Sequence, residues 1–237
     1  MALPMINAPT YEMKLASNGN TIKYRPFLVK EEKILLLALQ SEDEKQILNA
    51  IKQIITNCTF GEVDPEELPM FDIDNIFLRL REVSVGEQAE FALKCTSEGC
   101  DGVQNIMIDL RQIQLEPANE EKRTIPLTSS IGIIMKYPNI ALVEKLSKIQ
   151  LNSPDAMYEA IISSIEAIFD GEQVFSAKEQ SREELIQFLD SLTQTQFGLI
   201  KDFFEKIPRL KYDIDYECKK CETKHHRTLE GIVNFLA

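Results

Sequence analysis

Two short cysteine pairs, more than a hundred residues apart, constrain this chain more than any other feature of its sequence. Four residues separate Cys95 from Cys100, and two separate Cys218 from Cys221. Each pair lies between segments with the alternating pattern of β-strands. Two strand-flanked pairs are typical of the knuckles of a zinc ribbon, because four thiolates bind Zn²⁺ in a tetrahedron. We therefore predict one structural zinc at these four cysteines, in a ribbon split by a long insertion.

Three other interpretations of the cysteines stay open at this stage. They could be unmetallated core residues or a redox dithiol, or the ligand set could include His225 or His226. Four cysteines already satisfy the ion, and adjacent residues of a strand face opposite sides, so we interpret the two histidines as surface residues. Cys58 is predicted to be a core thiol at the end of a helix. A catalytic zinc would need an open coordination position and a ligand set rich in histidine, for which the sequence has no motif.

Charge and composition limit the function classes. The chain has 237 residues, enough for one large domain or two small ones. Its net charge of −12 argues against non-specific binding to nucleic acid or anionic lipid. We interpret the basic residues around the second knuckle as cations that balance the surplus negative charge of a Zn²⁺ ion bound by four thiolates. A nucleic-acid or transcription-associated zinc ribbon is the alternative.

The sequence has no secretory signal, and its apolar runs are far shorter than the roughly 20 residues of a membrane span. We therefore expect a soluble protein made inside the cell, without disulfides.

The chain is predicted to be α+β, with an N-terminal β-hairpin followed by helices. The hairpin has alternating apolar residues from Tyr11 to Tyr24 around an Asn18-Gly19 turn. Helices are predicted over Lys30–Leu39 and from an N-cap at Ser41 to about Cys58, with a third starting at Asp72 or Asp74. Strands are predicted at Glu87–Lys94, Val103–Leu110, Leu210–Glu217 and Thr223–Leu229, with an extended segment over Thr124–Lys136 in which Gly132 marks a bulge or a close contact.

A helical insertion is predicted between the ribbon halves. Its helices are expected at Asn139–Gln150, Pro154–Phe169, Ser181–Leu192 and Gln194–Lys206, with Asp170-Gly171-Glu172 ending the second. The predicted division is 1–86 for the hairpin and helical region, 87–138 for the first ribbon half and extended strands, 139–207 for the insertion and 208–237 for the second ribbon half.

The sequence contains no motif that points to an enzyme. Phosphate-binding, dinucleotide-binding and nucleophile-elbow patterns are absent, and the two histidines are adjacent. The spaced carboxylates Asp72/Asp74 and Asp213/Asp215 are interpreted as helix capping and a solvated strand face. The run Glu31-Glu32-Lys33 is interpreted as a solvated helix face.

Several stretches together resemble a known family. They are Lys23–Ala38 after the hairpin, Phe71–Arg81, the first knuckle after Phe91–Lys94, and Met135–Pro138. These residues resemble the baseplate hub and hub-assembly proteins of T4-type contractile-tailed phages, and fit best with the versions carried by phages of cyanobacteria. The resemblance spans most of the chain and is most specific in its first hundred residues.

The resemblance implies a non-catalytic component or assembly factor of the tail baseplate hub. Its expected partners are other baseplate or tail hub proteins, and self-association is compatible with such a role. Its expected location is the virion tail baseplate, or the host cytoplasm during assembly. The family offers no catalytic residue to carry over, only the four cysteines as a zinc site.

Overall fold

A computed structural model describes residues 6–41, 43–146 and 154–231 of the chain. The structure is α+β, as the sequence predicts. In chain order its elements are β1 (Tyr11–Lys14), β2 (Thr21–Tyr24), α1 (Val29–Gln40), α2 (Glu44–Cys58), α3 (Met70–Ser84), β3 (Gln88–Lys94), β4 (Val103–Asp109), β5 (Thr124–Pro126), β6 (Ile131–Met135), α4 (Ile140–Leu146), α5 (Pro154–Ser164), β7 (Ile165–Asp170), β8 (Gln173–Ser176), α6 (Arg182–Asp190), α7 (Gln194–Glu205), β9 (Lys211–Glu217) and β10 (Lys224–Glu230).

The chain forms two compact units. The first contains residues 1–65, 71–116 and 208–237, and the second contains 66–70 and 117–207. The first unit is therefore built from segments far apart in sequence. Both cysteine pairs belong to it. The four-part division predicted from the sequence stays a prediction.

The first unit combines three antiparallel hairpins, β1–β2, β3–β4 and β9–β10, with helices α1 to α3. Its most deeply buried side chains come mainly from α2, α3 and β4 with the residues after it. They are Ile51, Ile54, Ile55, Ile73, Ile76, Phe77, Leu78, Leu80, Ile108, Leu110 and Ile113. Their spacing in α2 and α3 is the helical spacing of the sequence, so burial of an apolar stripe explains both helices.

Two details at the helix ends differ from the prediction. The N-cap of α2 is Asp43 and not Ser41. The Asp43 carboxylate accepts hydrogen bonds from the backbone N–H groups of Lys45 and Gln46. The Ser41 hydroxyl instead donates to the carbonyl of Ala38 at the end of α1. Asp72 does not cap its own helix. It is fully buried and accepts the backbone N–H groups of Ala16 and Ser17, which join the turn of the β1–β2 hairpin to α3.

The prediction of a solvated face at Glu31 is wrong. Glu31 has no exposed surface, and its carboxylate lies 3.0 Å from Nη2 of Arg25 and 2.8 Å from the backbone nitrogen of Leu28. The same guanidinium lies 3.7 Å from Sγ of Cys58, which is buried at the end of α2 as predicted. A buried carboxylate needs such partners, since an unpaired charge in the interior is very costly.

The second unit contains a four-stranded antiparallel sheet in the order β5-β6-β7-β8 and helices α4 to α7. Its core joins the inner face of the sheet to α5, α6 and α7. The buried members of this core are Ile125, Ile133, Met135, Ile161, Ile162, Ile165, Leu185, Leu189, Ile200 and Phe203. Helices α6 and α7 confirm the two amphipathic helices predicted there, and both begin with a capping box.

The insertion is not wholly helical, and the predicted helix over Pro154–Phe169 is wrong in its second part. Helix α5 ends at Ser164, and Ile165–Asp170 continues as β7, which is hydrogen-bonded between β6 and β8. The spacing of isoleucines suits a helix, but pairing on both edges satisfies the backbone of this segment in a sheet. Asp170, the last residue of β7, pairs with Gln173, and Gly171 and Glu172 form the turn to β8. Gly171 has φ +59°, so the supposed helix stop is a hairpin turn.

Other expectations for the second unit are met. Gly132 is the predicted close contact, because a Cβ atom there would collide with the ring of Phe169 and lie 2.8 Å from the carbonyl oxygen of Ile125. Gly132 itself pairs in register with Phe169, and the register shift between β6 and β7 lies at Ile134/Met135. Helix α4 covers the first part of the predicted Asn139–Gln150 helix, whose last residues, 147–150, lie outside the described residues. Among the helices of the described ranges, none is long and apolar enough to cross a membrane.

Candidate metal centre

The first knuckle is the loop between β3 and β4. The strands pair in register from Gln88 opposite Asp109 to Lys94 opposite Val103, and the backbone N–H of Cys95 donates to the carbonyl of Gly102 at 2.7 Å. Gly99 has φ +74°, a conformation that glycine adopts without strain and that turns the chain back toward Cys100. The loop therefore places both sulfurs at one end of the hairpin.

The second knuckle is the loop between β9 and β10. Cys218 donates its N–H to the carbonyl of Thr223 at 2.9 Å, and Glu222 donates to the carbonyl of Cys218 at 2.8 Å. Glu222 takes a positive φ of 58°, which is uncommon for a residue with a side chain and marks a tightly held turn. Both predicted strand-knuckle-strand segments are thus present as hairpins.

The two knuckles face each other and bring the four predicted cysteines together. Their Sγ atoms all lie within 4.8 Å of one another, with 3.6 Å from Cys95 to Cys221 and 3.8 Å from Cys100 to Cys218. A tetrahedron of sulfurs at about 2.3 Å from a central zinc has edges of about 3.8 Å. A disulfide would need about 2.0 Å, so all four are free thiols at the spacing that suits a shared ion.

Contacts between the hairpins support this arrangement. The hydroxyl of Tyr216 in β9 donates to the carbonyl of Lys94 at 3.2 Å, and the N–H of Lys219 donates to Oε1 of Gln104 at 3.4 Å. Cys218 is buried, Cys95 and Cys100 are half-buried and Cys221 is exposed. Cys221 is therefore the most solvent-accessible of the four cysteines.

The surroundings shift the pKa values of the cysteine thiols in different directions. Hydrogen bonds from the hydroxyl and backbone N–H of Thr223 hold the pKa of Cys221 at about 5, and those from Ser97 lower the pKa of Cys95. The pKa of Cys100 is raised to about 12, because the Gly102 N–H favours its thiolate but burial and the adjacent thiols oppose it. Four thiolates at this spacing need a cation between them, and a divalent ion that accepts sulfur, such as Zn²⁺, fits the donor set.

Gly102 leaves the space that the sulfurs occupy. A Cβ atom on this residue would lie 2.8 Å from Sγ of Cys218 and 3.4 Å from Sγ of Cys100. Its φ is not positive, so space, and not backbone conformation, makes glycine fit here. The spacing of the cysteines alone did not single out this residue.

The two histidines differ, which corrects the expectation that both are surface residues. His226 is exposed, with Nδ1 at 2.8 Å from Asp215. His225 is half-buried, and its Nε2 lies 3.2 Å from Sγ of Cys95. The alternation of side chains along β10 predicts opposite faces, but only the fold shows which face meets the cysteines.

Several basic groups along the β9–β10 hairpin and in its knuckle have acidic partners. Lys220 pairs with Asp101, Lys211 Nζ lies 3.2 Å from Glu230, and His226 lies beside Asp213 and Asp215. The Asp215 carboxylate raises the pKa of His226. This surface therefore carries alternating charges.

Comparison with protein families places the whole chain in one group. The family model described as T4 bacteriophage base plate protein matches residues 8–237. Searches of curated proteins and of solved structures returned no match. A match over nearly the full length agrees with the resemblance found in the stretches above. The chain belongs to the family of T4 bacteriophage base plate proteins.

Proposed function

We propose that this protein is a non-enzymatic structural or assembly component of the contractile tail baseplate hub, stabilised by one structural zinc. Membership of the base plate family is the observation that carries the baseplate role, and it implies the virion tail as the location. The assignment to the hub rests on the resemblance of the Lys23–Ala38 stretch. Other tail and baseplate proteins are the expected partners.

The zinc is proposed at Cys95, Cys100, Cys218 and Cys221. Their sulfur–sulfur distances of 3.6 and 3.8 Å match the edges expected for four thiolates around one ion. Such a centre has no open position for substrate or water, which is the arrangement of structural and not catalytic zinc sites.

The position of the centre explains what the metal contributes. The sulfur pairs join residues 118 and 126 positions apart, so the ion closes a very long loop of the chain. Closing a long loop restricts the unfolded chain, and binding is coupled to folding because the site exists only when both hairpins are in place. The first unit, whose segments flank the second in sequence, is the part stabilised.

The nucleic-acid alternative is less well supported. A phosphate-binding surface usually has a basic surplus, whereas Lys211, Lys220 and His226 face carboxylates and the chain has a net charge of −12. Steeply salt-dependent binding of DNA or RNA by the purified protein would favour that alternative over the baseplate role.

The test is made in phage carrying an amber codon in the gene for this chain. Without suppression we expect tails or baseplates to be missing from infected-cell lysates in electron micrographs, and expression of the wild-type chain in trans to restore them. Complementation with Cys218→Ser tests the centre, and Cys58→Ala is the control because Cys58 lies outside the cluster. Normal infectious tails in the absence of the chain would refute the proposal.

Analysis of purified virions separates the two forms of the role. Detection of the chain in baseplates by mass spectrometry identifies a structural component. Its absence from virions whose assembly requires it identifies an assembly factor.

A further inference from the structure

The side chain of His225 reaches from one hairpin to the cysteine cluster of the other. His225 lies on β10, and its Nε2 is 3.2 Å from Sγ of Cys95 in the knuckle after β3. Its other ring nitrogen, Nδ1, lies 3.3 Å from the hydroxyl oxygen of Thr96. The ring is therefore satisfied at both nitrogens if Nε2–H donates to the sulfur and the Thr96 hydroxyl donates to Nδ1.

A second set of contacts fixes the plane of the ring. His225 stacks on Tyr216, its neighbour across β9–β10, with ring centroids 5.1 Å apart and an interplanar angle of 29°. The hydroxyl of Tyr216 is in turn bonded to the carbonyl of Lys94, next to Cys95. The imidazole thus cannot swing away from the sulfur without losing both the stack and the Thr96 contact.

We propose that His225 is a positioning residue of the metal centre, which donates a hydrogen bond to the Cys95 thiolate and strengthens zinc binding. This inference rests on the zinc site proposed above. Four thiolates and one Zn²⁺ have a net charge of −2. A hydrogen bond to one of the thiolates partly offsets this charge, because it withdraws electron density from the sulfur. The bond also joins the two hairpins next to the metal, beside the exposed sulfur of Cys221.

The make-up of the cluster argues for a hydrogen bond and not for a fifth or replacement ligand. The four sulfurs all lie within 4.8 Å of one another, and among the described residues no histidine nitrogen belongs to that group. Four thiolates complete the tetrahedral coordination of zinc. His225 therefore lies outside the proposed ligand set.

His226 provides a matched control. It is the next residue of the same strand, but it points to the opposite face and pairs with Asp215 at 2.8 Å. Its substitution also removes one histidine from β10, but without touching a cysteine.

The experiment compares the full chain with His225→Phe, His225→Gln and His226→Phe. Phenylalanine keeps a ring for the stack and removes the donor, whereas glutamine can restore an N–H donor. Zinc affinity is measured by competition with a chromophoric chelator, and the centre is then loaded with Co²⁺ to record the sulfur-to-metal charge-transfer absorption. The charge-transfer absorption is needed because it reports the atoms bound to the metal. Affinity alone is insufficient, since a variant that only weakens the fold would also weaken zinc binding.

We expect His225→Phe to retain a four-sulfur Co²⁺ spectrum with a shifted charge-transfer band and to bind zinc about tenfold more weakly, the lower end for loss of an outer-shell partner. His225→Gln should recover part of both effects, and His226→Phe should match the wild type. Equal affinities and spectra for His225→Phe and His226→Phe would overturn the inference while leaving the zinc site intact. A wild-type spectrum of three sulfurs and one nitrogen would overturn it as well, because His225 would then be a ligand. A wild-type chain that binds no metal would refute the zinc site itself.

Discussion

Gly102 offers the sharpest test of the cysteine cluster, because replacing it with alanine adds one methyl group directly against the sulfurs. The new carbon would lie 2.8 Å from Sγ of Cys218, which is buried and whose backbone is fixed by its hydrogen bond to Thr223. It would also lie 3.3 Å from Cβ of Lys220 and 3.4 Å from Sγ of Cys100, so it would meet one cysteine from each knuckle.

The size of the effect follows from the displacement required. To reach an ordinary contact of 3.4 Å from 2.8 Å, carbon and sulfur must separate by a further 0.6 Å. Metal–ligand distances tolerate only about 0.2 Å, so the sulfur cannot absorb this shift and remain bound in place. Overpacking of a tight site costs about 1–3 kcal/mol, which corresponds to a loss of zinc affinity of roughly five- to 150-fold.

Zinc affinity of the purified Gly102→Ala chain is measured by chelator competition, with circular dichroism to verify the fold. The matched control is Gly99→Asn in the same loop. Gly99 has a positive φ of 74° and open space around it, and asparagine tolerates that conformation better than other residues with side chains. The control should therefore bind zinc nearly as tightly as the wild type. Gly102→Ala with affinity within twofold of the wild type would refute the assigned geometry.

Three further outcomes are expected. Cys218→Ser should lower both zinc content and melting temperature, because metal binding and folding are coupled, and unchanged melting with full zinc occupancy would contradict this. Arg25→Met should reduce the free energy of unfolding by about 3–5 kcal/mol in urea titrations, because it removes the buried cationic partner of Glu31 and leaves the carboxylate with the Leu28 N–H at 2.8 Å and the largely exposed Lys30 at 3.4 Å; a loss below about 1 kcal/mol would show that the pair is not a buried one. Burial opposes ionisation of Glu31, but its hydrogen bonds from Arg25 and Leu28 prevail and lower its pKa, so the stability it adds is present above the unfolded pKa of about 4.3 and lost as pH falls through the folded pKa. The stability difference between the wild type and Glu31→Gln should accordingly be constant at neutral pH and shrink below about pH 4, and a pH-independent difference would contradict the assignment.

The strand–knuckle–strand segments could be predicted because their determinants are local. Alternation along β3, β4, β9 and β10 sets which side chains face inward, and the short cysteine spacing sets the loops between them. The convergence of the two knuckles could be predicted because a structural zinc ion binds four ligands and each knuckle supplies two. Its geometry, with sulfurs 3.6 and 3.8 Å apart across the hairpins, came only from the structure.

Segment 165–170 shows where local pattern was insufficient. Isoleucines spaced for a helix stripe also suit a half-buried strand, and short apolar runs do not separate the two. The hydrogen bonds of β6 and β8 decided the outcome. The Asp170-Gly171-Glu172 segment was the available signal, because such a segment is as compatible with a hairpin turn as with a helix stop.

The sequence by itself determined the fold class, the three hairpins of the first unit, most of the helices, the four candidate ligands and the resemblance to base plate proteins. Each of these depends on neighbours along the chain or on the chemistry of a residue type. The tertiary structure decided that Glu31 is buried against Arg25, that Asp72 binds the hairpin turn, and that His225 and not His226 meets the cysteines. Burial and partnership of a polar side chain depend on residues brought together from distant parts of the chain, and a local pattern does not contain that information.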